Sequence, residues 1–227
     1  MKRIDSIVRK ALSRYPGISN CSESVDGYEH CFAFDGGPEM LEDQCLFDNV
    51  GDEDKRILLL HLFSAKGVKA NWGWKVNVEL AKLAAKCGRL VRDEAERCLY
   101  DGFERTYWTD NVLRVAYFGS DLCYEDRLVD LIEVRADDCG DGYDGLFIAC
   151  WFMNSPRTDA ALAERFADWF KNGTLDRGGC SMADVFRLIC KWEREERGAA
   201  CGGVRRLYHD YVQRRCDVAH FRANGLW

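Results

Sequence analysis

The sequence predicts an α+β fold, mainly helical, with an α+β region over residues 1–120 and a mainly helical region over 121–227. Three observations lead there. Apolar residues recur at steps of three and four through most of the chain, which is the period of an amphipathic helix. Residues 106–118 instead concentrate aromatic and β-branched side chains around a turn, as a hairpin does. Only three prolines are present and no stretch is low-complexity, so ordered elements are expected nearly throughout.

Taken in order, Ile4, Ile7, Val8, Ala11 and Leu12 mark a first helix that Pro16-Gly17 stops, with Lys2, Arg3, Arg9, Lys10 and Arg14 on its outer face. Tyr28 to Phe34 alternates like a strand, Asp35-Gly36-Gly37-Pro38 makes a turn, and an acidic segment follows over 39–50. Asp52, Glu53 and Asp54 sit where the positive end of a helix over 56–65 favours them. Trp72 and Trp74 then flank a glycine among Lys66, Lys69 and Lys75, a pattern that either stacks on a base or pins a loop to the core. Val78, Leu80, Ala81, Leu83, Ala84 and Ala85 give a helix expected to end at Cys87-Gly88 through a left-handed glycine. A further helix runs from Val91 through Ala95, Cys98 and Leu99 to Phe103, and the hairpin closes the region.

Helix, helix, helix, hairpin is the order of a winged helix. The chain resembles that class through Glu79 to Ala85, the helix from Val91, and the strand-like Asn111 to Phe118, about a quarter of its length. The resemblance implies that the second helix of the pair would enter the major groove of DNA. Its outer face does not suit that task. Arg92, Arg97 and Arg105 stand against Asp93, Glu94, Glu96, Asp101 and Glu104, a balance that repels phosphate.

In the second region, Leu128, Val129, Leu131 and Ile132 give a helix within 122–135. Asp137-Asp138-Cys139-Gly140-Asp141-Gly142-Tyr143-Asp144-Gly145 follows. Counted as a calcium loop it fails at its third and twelfth positions, Cys139 and Ile148, so it reads as an acidic turn. Leu146 to Met153 is apolar without a period and fits a buried strand or a helix equally. Three amphipathic helices complete the chain. The first is capped at Thr158 or Asp159 and holds Leu162, Phe166, Trp169 and Phe170. The second has a near capping box at Ser181 to Asp184 and holds Val185, Leu188, Ile189 and Trp192. The third carries Val204, Leu207, Tyr208, Tyr211 and Val218.

The twelve cysteines form no Cys-x-x-Cys, and the first ten residues lack the apolar core of a secretory signal, so free thiols are expected. Cys180 at a helix start, with His209 or His220 as base, is the arrangement a cysteine nucleophile would need. Cys216 and His220 are spaced for two metal ligands on one helix, and His209 lies too far along it to join them. His30 and Cys31, between Cys21 and Cys45, match no zinc spacing. No metal or cofactor is therefore expected.

Charge carries the functional expectation. The net charge of −6 is unevenly spread: residues 21–56 hold eleven acidic and two basic side chains, and residues 120–146 hold nine and two. The expected function is a non-catalytic, cytoplasmic protein–protein interaction, as a regulator or inhibitor that engages another protein with a basic surface, a nucleic-acid-handling protein being one such partner. Asp137, Asp138, Asp141, Asp144, Glu39, Glu42 and Asp43 would make that contact. The alternatives are a winged-helix DNA-binding regulator, using Lys66, Lys69, Trp72, Trp74, Lys75 and Arg114, and a cysteine- or zinc-dependent enzyme at Cys180 or Cys216. The longest apolar run, Leu146 to Met153, is too short to cross a bilayer.

Overall fold

The structure is a computed structural model, and it describes residues 2–13, 18–21, 31–34, 43–62, 74–99, 117, 119–135, 143–172, 182–196 and 200–215. Among these residues the helical period dominates. Helix α1 spans Lys2–Leu12, α2 Asp52–Leu62, α3 Trp74–Cys87, α4 Arg92–Leu99, α5 Glu125–Arg135, α6 Tyr143–Met153, α7 Pro156–Asn172, α8 Met182–Arg194 and α9 Ala200–Arg215. Short 3-10 turns at Gly88–Val91 and Leu122–Tyr124 lead into α4 and α5. The described β-structure is a ribbon of two four-residue segments, β1 Ile18–Cys21 and β2 Cys31–Phe34, antiparallel with Ile18 opposite Phe34.

This corrects the winged-helix-like α+β expectation: the chain is mainly α, and the described residues hold no hairpin after the helix pair. Tyr117, inside the stretch read as the wing strand, has helical backbone, while residues 106–116 lie outside the described residues. Packing overrides the β-propensity of that aromatic. The Tyr117 ring is fully buried over Gly88, and its hydroxyl lies 3.3 Å from the Tyr124 hydroxyl and donates to the Arg92 carbonyl at 3.5 Å.

The role expected of Gly88 also changes. It does not adopt the left-handed conformation; it opens the 3-10 turn, and a Cβ there would lie 2.5 Å from the Tyr117 Cδ2 atom. Glycine stands at this position because a ring lies on it.

The apolar run that periodicity left undecided is helix α6, and it is the hub. Every residue from Gly145 to Trp151 is buried, and Met153 as well. A helix apolar on all sides has to be enclosed by others. Helix α6 packs on α3, α5 and α8, and Gly119 lets the chain before α5 approach so closely that a Cβ would stand 2.6 Å from the Ala149 Cα. Helix α7 packs on α5 and α9, and α9 on α8.

Rings fill the space between them. Phe166 of α7 meets Phe147 at 5.4 Å, Trp169 at 5.5 Å and Trp192 at 5.7 Å, and Phe170 meets Tyr208 and Tyr211 of α9. The buried apolar residues form one cluster reaching from Ile7 to Val212.

The joint between α6 and α7 is tight. Asn154 takes a left-handed φ of 54°, Ser155 caps α7 by accepting the Arg157 N–H, and Pro156 occupies the first helical position, where its missing N–H costs nothing. The cap is thus Ser155 rather than Thr158 or Asp159. Thr158 instead donates its hydroxyl back to the Ser155 carbonyl at 3.1 Å.

Candidate functional site

Helix α3 carries the most unusual chemistry among the described residues. Val78 to Ala85 are all buried, yet that run contains Glu79 and Lys82, 1% and 0% exposed. Three positions apart on a helix, the two side chains meet on one face, and Lys82 Nζ stands 2.8 Å from Glu79 Oε1.

Two buried charges survive only if each also finds polar partners. These come from a strap, residues 43–50, that crosses α3. Leu46 donates its N–H to Glu79 Oε2 at 2.7 Å, Lys82 reaches the Gln44 carbonyl at 3.4 Å, and the Cys45 thiol donates to the Glu79 carbonyl at 3.3 Å. Burial pushes the Glu79 carboxyl above its ordinary range, with the Lys82 charge and the Leu46 N–H pulling the other way. Burial, and then the Glu79 charge, push the Cys45 thiol far up, so it stays protonated and inert.

The same strap carries the first described part of the acidic segment. Asp43 is exposed, and it is held: Trp151 Nε1 of α6 donates to Asp43 Oδ1 at 2.8 Å, and Lys86 donates to the Asp43 carbonyl at 3.1 Å. Lys86 also pairs with Asp48 at 2.6 Å. Lys191 of α8 donates to the Trp151 carbonyl at 2.7 Å and lies over the Trp151 ring, 4.5 Å from its centre.

The second acidic block surfaces on α5. Asp126, Asp130 and Glu133 recur at four and three positions, so they form one exposed stripe. Arg157 of α7 pairs with Asp126 and approaches Glu125 at 3.7 Å. The Ser155 hydroxyl donates to Glu125, and Arg165 donates to the carbonyls of Ile132 and Glu133. The arginines of α7 thus dock α5 through its first turn and its last carbonyls. Glu133 carries no ion pair of its own within the described chain, and neither does Glu53 of the first block.

Of the residues expected to meet a partner, Asp43 is placed as above and Asp144 has its backbone in the first turn of α6; Glu39, Glu42, Asp137, Asp138 and Asp141 lie outside the described residues. Of the nucleic-acid set, Trp74 and Lys75 open α3, and Lys66, Lys69, Trp72 and Arg114 lie outside. Arg92, on the helix read as the DNA-facing one, is engaged internally: it pairs with Asp121 at 2.8 Å and stacks over the Tyr124 ring. Its guanidinium is committed to holding α4 against the turn before α5.

Cys180, Cys216 and His220 lie outside the described residues. His209 is partly buried on α9 with its ring edge-on to Tyr208, and burial, then the nearby Arg205 charge, lower its pKa. No three His, Cys, Asp or Glu side chains converge as a metal-binding group among the described residues. No helix among them is long and apolar enough to cross a membrane.

Sequence reasoning passed over Glu79, Lys82 and Trp151. No local signal marked the pair: at helical spacing Lys75, Glu79, Lys82 and Lys86 fall on one side of α3, as a solvated stripe would, and Glu79 and Lys82 are buried only because the strap crosses that side. Comparison with protein-family models, with curated proteins and with solved structures finds no match to this chain.

Proposed function

We propose that the chain is a non-catalytic interaction protein whose acidic surface engages a basic surface on another protein. The observation that carries the reading is the stripe Asp126, Asp130 and Glu133, exposed along α5 in the helix that runs toward Asp137, Asp138, Asp141 and Asp144. Such a surface raises the encounter rate with a cationic partner and gives it a salt-sensitive affinity. A partner that ordinarily holds nucleic acid has a surface of this kind, which makes regulation or inhibition the role that follows. Nucleic acid itself is disfavoured as the ligand, since the two acidic blocks outweigh the basic remainder and Arg92 is already paired.

The test uses the tagged full chain on native lysate, half of it nuclease-treated. The reading expects a basic protein that is retained after nuclease and leaves with salt. Changing Asp126, Asp130, Asp137, Asp138, Asp141 and Asp144 to Asn and Glu133 to Gln should weaken that binding at least tenfold and flatten its salt dependence. Retention of nucleic acid alone, or an affinity the neutralised variant shares with the native chain, would refute it.

A further inference from the structure

We infer that the strap over residues 43–50 is a preformed lid that opens from α3 as a unit while the rest of the core stays folded. Three observations carry this, and none depends on what the chain binds.

The first is that the strap holds its own shape. Asp48 donates its N–H to the Cys45 carbonyl at 3.0 Å, Val50 to the Phe47 carbonyl at 3.1 Å, and Cys45 donates its N–H back to Asp48 Oδ2 at 2.8 Å. Lifting it leaves these bonds intact, so little backbone order is lost or regained.

The second is what lies beneath. Closing the strap over Glu79 and Lys82 takes both charges out of water, and the desolvation of a buried pair can exceed its mutual attraction. Opening returns the pair to water and so offsets part of what is lost when Leu46 and Phe47 leave the core. No comparable offset exists for the apolar run Leu146 to Met153 of α6.

The third is a joint. The strap ends at Gly51, which is exposed and has no atom within 4 Å of where a Cβ would be, immediately before α2. The Gly51 carbonyl is tied into α2 by the Lys55 N–H at 2.9 Å, so the pivot falls at the Gly51 N–Cα bond, on the strap side of that hydrogen bond, where no side chain stands in the way.

Cys45 is a built-in reporter, because its thiol is buried only while the strap is closed, and Cys150 in α6 is a control buried by the global fold. The experiment is alkylation of the native full chain with iodoacetamide across a urea series, with each cysteine followed by peptide mass spectrometry. Without urea, Cys45 should react at least about tenfold faster than Cys150, and its rate should rise more shallowly with urea, because local opening exposes less surface than unfolding.

Replacing the pair as Glu79→Gln together with Lys82→Met keeps an acceptor for the Leu46 N–H and removes the charges. That variant should slow Cys45 by about tenfold relative to Cys150, since with both charges gone the closed form no longer bears the cost of desolvating them. Equal rates and equal urea slopes for the two thiols in the native chain would overturn the inference, and that comparison stands whether or not the double variant folds.

Discussion

Helices α3 and α6 pack on each other and are both enclosed, but they reach burial by opposite means. Helix α6 buries the run Leu146, Phe147, Ile148, Ala149 and Cys150, which contains no charged residue. Helix α3 buries Glu79 and Lys82 among its alanines and leucines and needs a second segment to satisfy them. The difference teaches where specificity sits. An apolar helix accepts any neighbour of suitable volume, whereas a buried acceptor and donor accept only a segment whose N–H and C=O arrive at the right places. The Glu79–Lys82 pair therefore selects the register of the strap, even if it adds little to overall stability.

The largest expected effect breaks the α6 side of the comparison. Phe147→Ala removes a fully buried ring from contact with Phe166 and should cost about 3–5 kcal/mol, a large share of a typical domain's 5–15. Urea or thermal unfolding followed by circular dichroism would measure it. A loss below about 1 kcal/mol would show that α6 is not the hub.

On the α3 side the expected signature is coupling. Lys82→Met alone leaves Glu79 buried without its cation and should also cost about 3–5 kcal/mol. Adding Glu79→Gln should recover that whole loss and leave the chain about 1 kcal/mol more stable than the native one, the same gain that slows Cys45. A double-mutant cycle by urea unfolding gives the answer: if the two losses simply add, the pair is not acting as a unit.

Much of the helical content was legible because α1, α7, α8 and α9 each lie on a core with one side and show it as a stripe, Ile7, Val8, Ala11 and Leu12 being the plainest case. Helix α6 hides its state for the opposite reason. Buried on every side, it needs no stripe, so Leu146 to Met153 has no period to read. The winged helix failed on tertiary packing: Tyr117 carries strand propensity, but the space over Gly88 decides its backbone. The strap was the least legible part. Its contacts join Asp43 to Trp151 and Leu46 to Glu79 across long stretches of chain, and no local pattern encodes such pairings. The charge blocks were countable from the start. What counting could not show is how Arg157, Arg92, Lys86 and Arg3 answer part of that charge from outside the blocks.

The two close-approach glycines sharpen the contrast between rigid and yielding neighbours. At Gly119 an added methyl would strike the Ala149 backbone of α6, and at Gly88 it would strike the edge of the Tyr117 ring. A side-chain ring can tilt away, but the backbone of an enclosed helix cannot. Gly119→Ala should therefore cost about 1–3 kcal/mol and Gly88→Ala distinctly less, compared by thermal unfolding under one condition. The reverse order would mean that the chain before α5 gives way more easily than the Tyr117 pocket.

The smallest effect lies at the outer edge of the strap. Lys86 is about a quarter exposed, and it pairs with Asp48 while donating to the Asp43 carbonyl. A partly solvated pair of this kind contributes no more than about 1 kcal/mol and is screened by salt, so Lys86→Gln should hardly move the unfolding midpoint, and less still in high salt. The buried pair beneath is shielded from ions, so the Lys82→Met loss should persist at the same salt concentration. Measuring both variants at low and high salt separates the two layers of the fastening: the outer one yields to ionic strength and the inner one does not. If Lys86→Gln proved as costly as Lys82→Met, the strap would be held mainly from its rim, and the Glu79–Lys82 pair would not be what fixes it on α3.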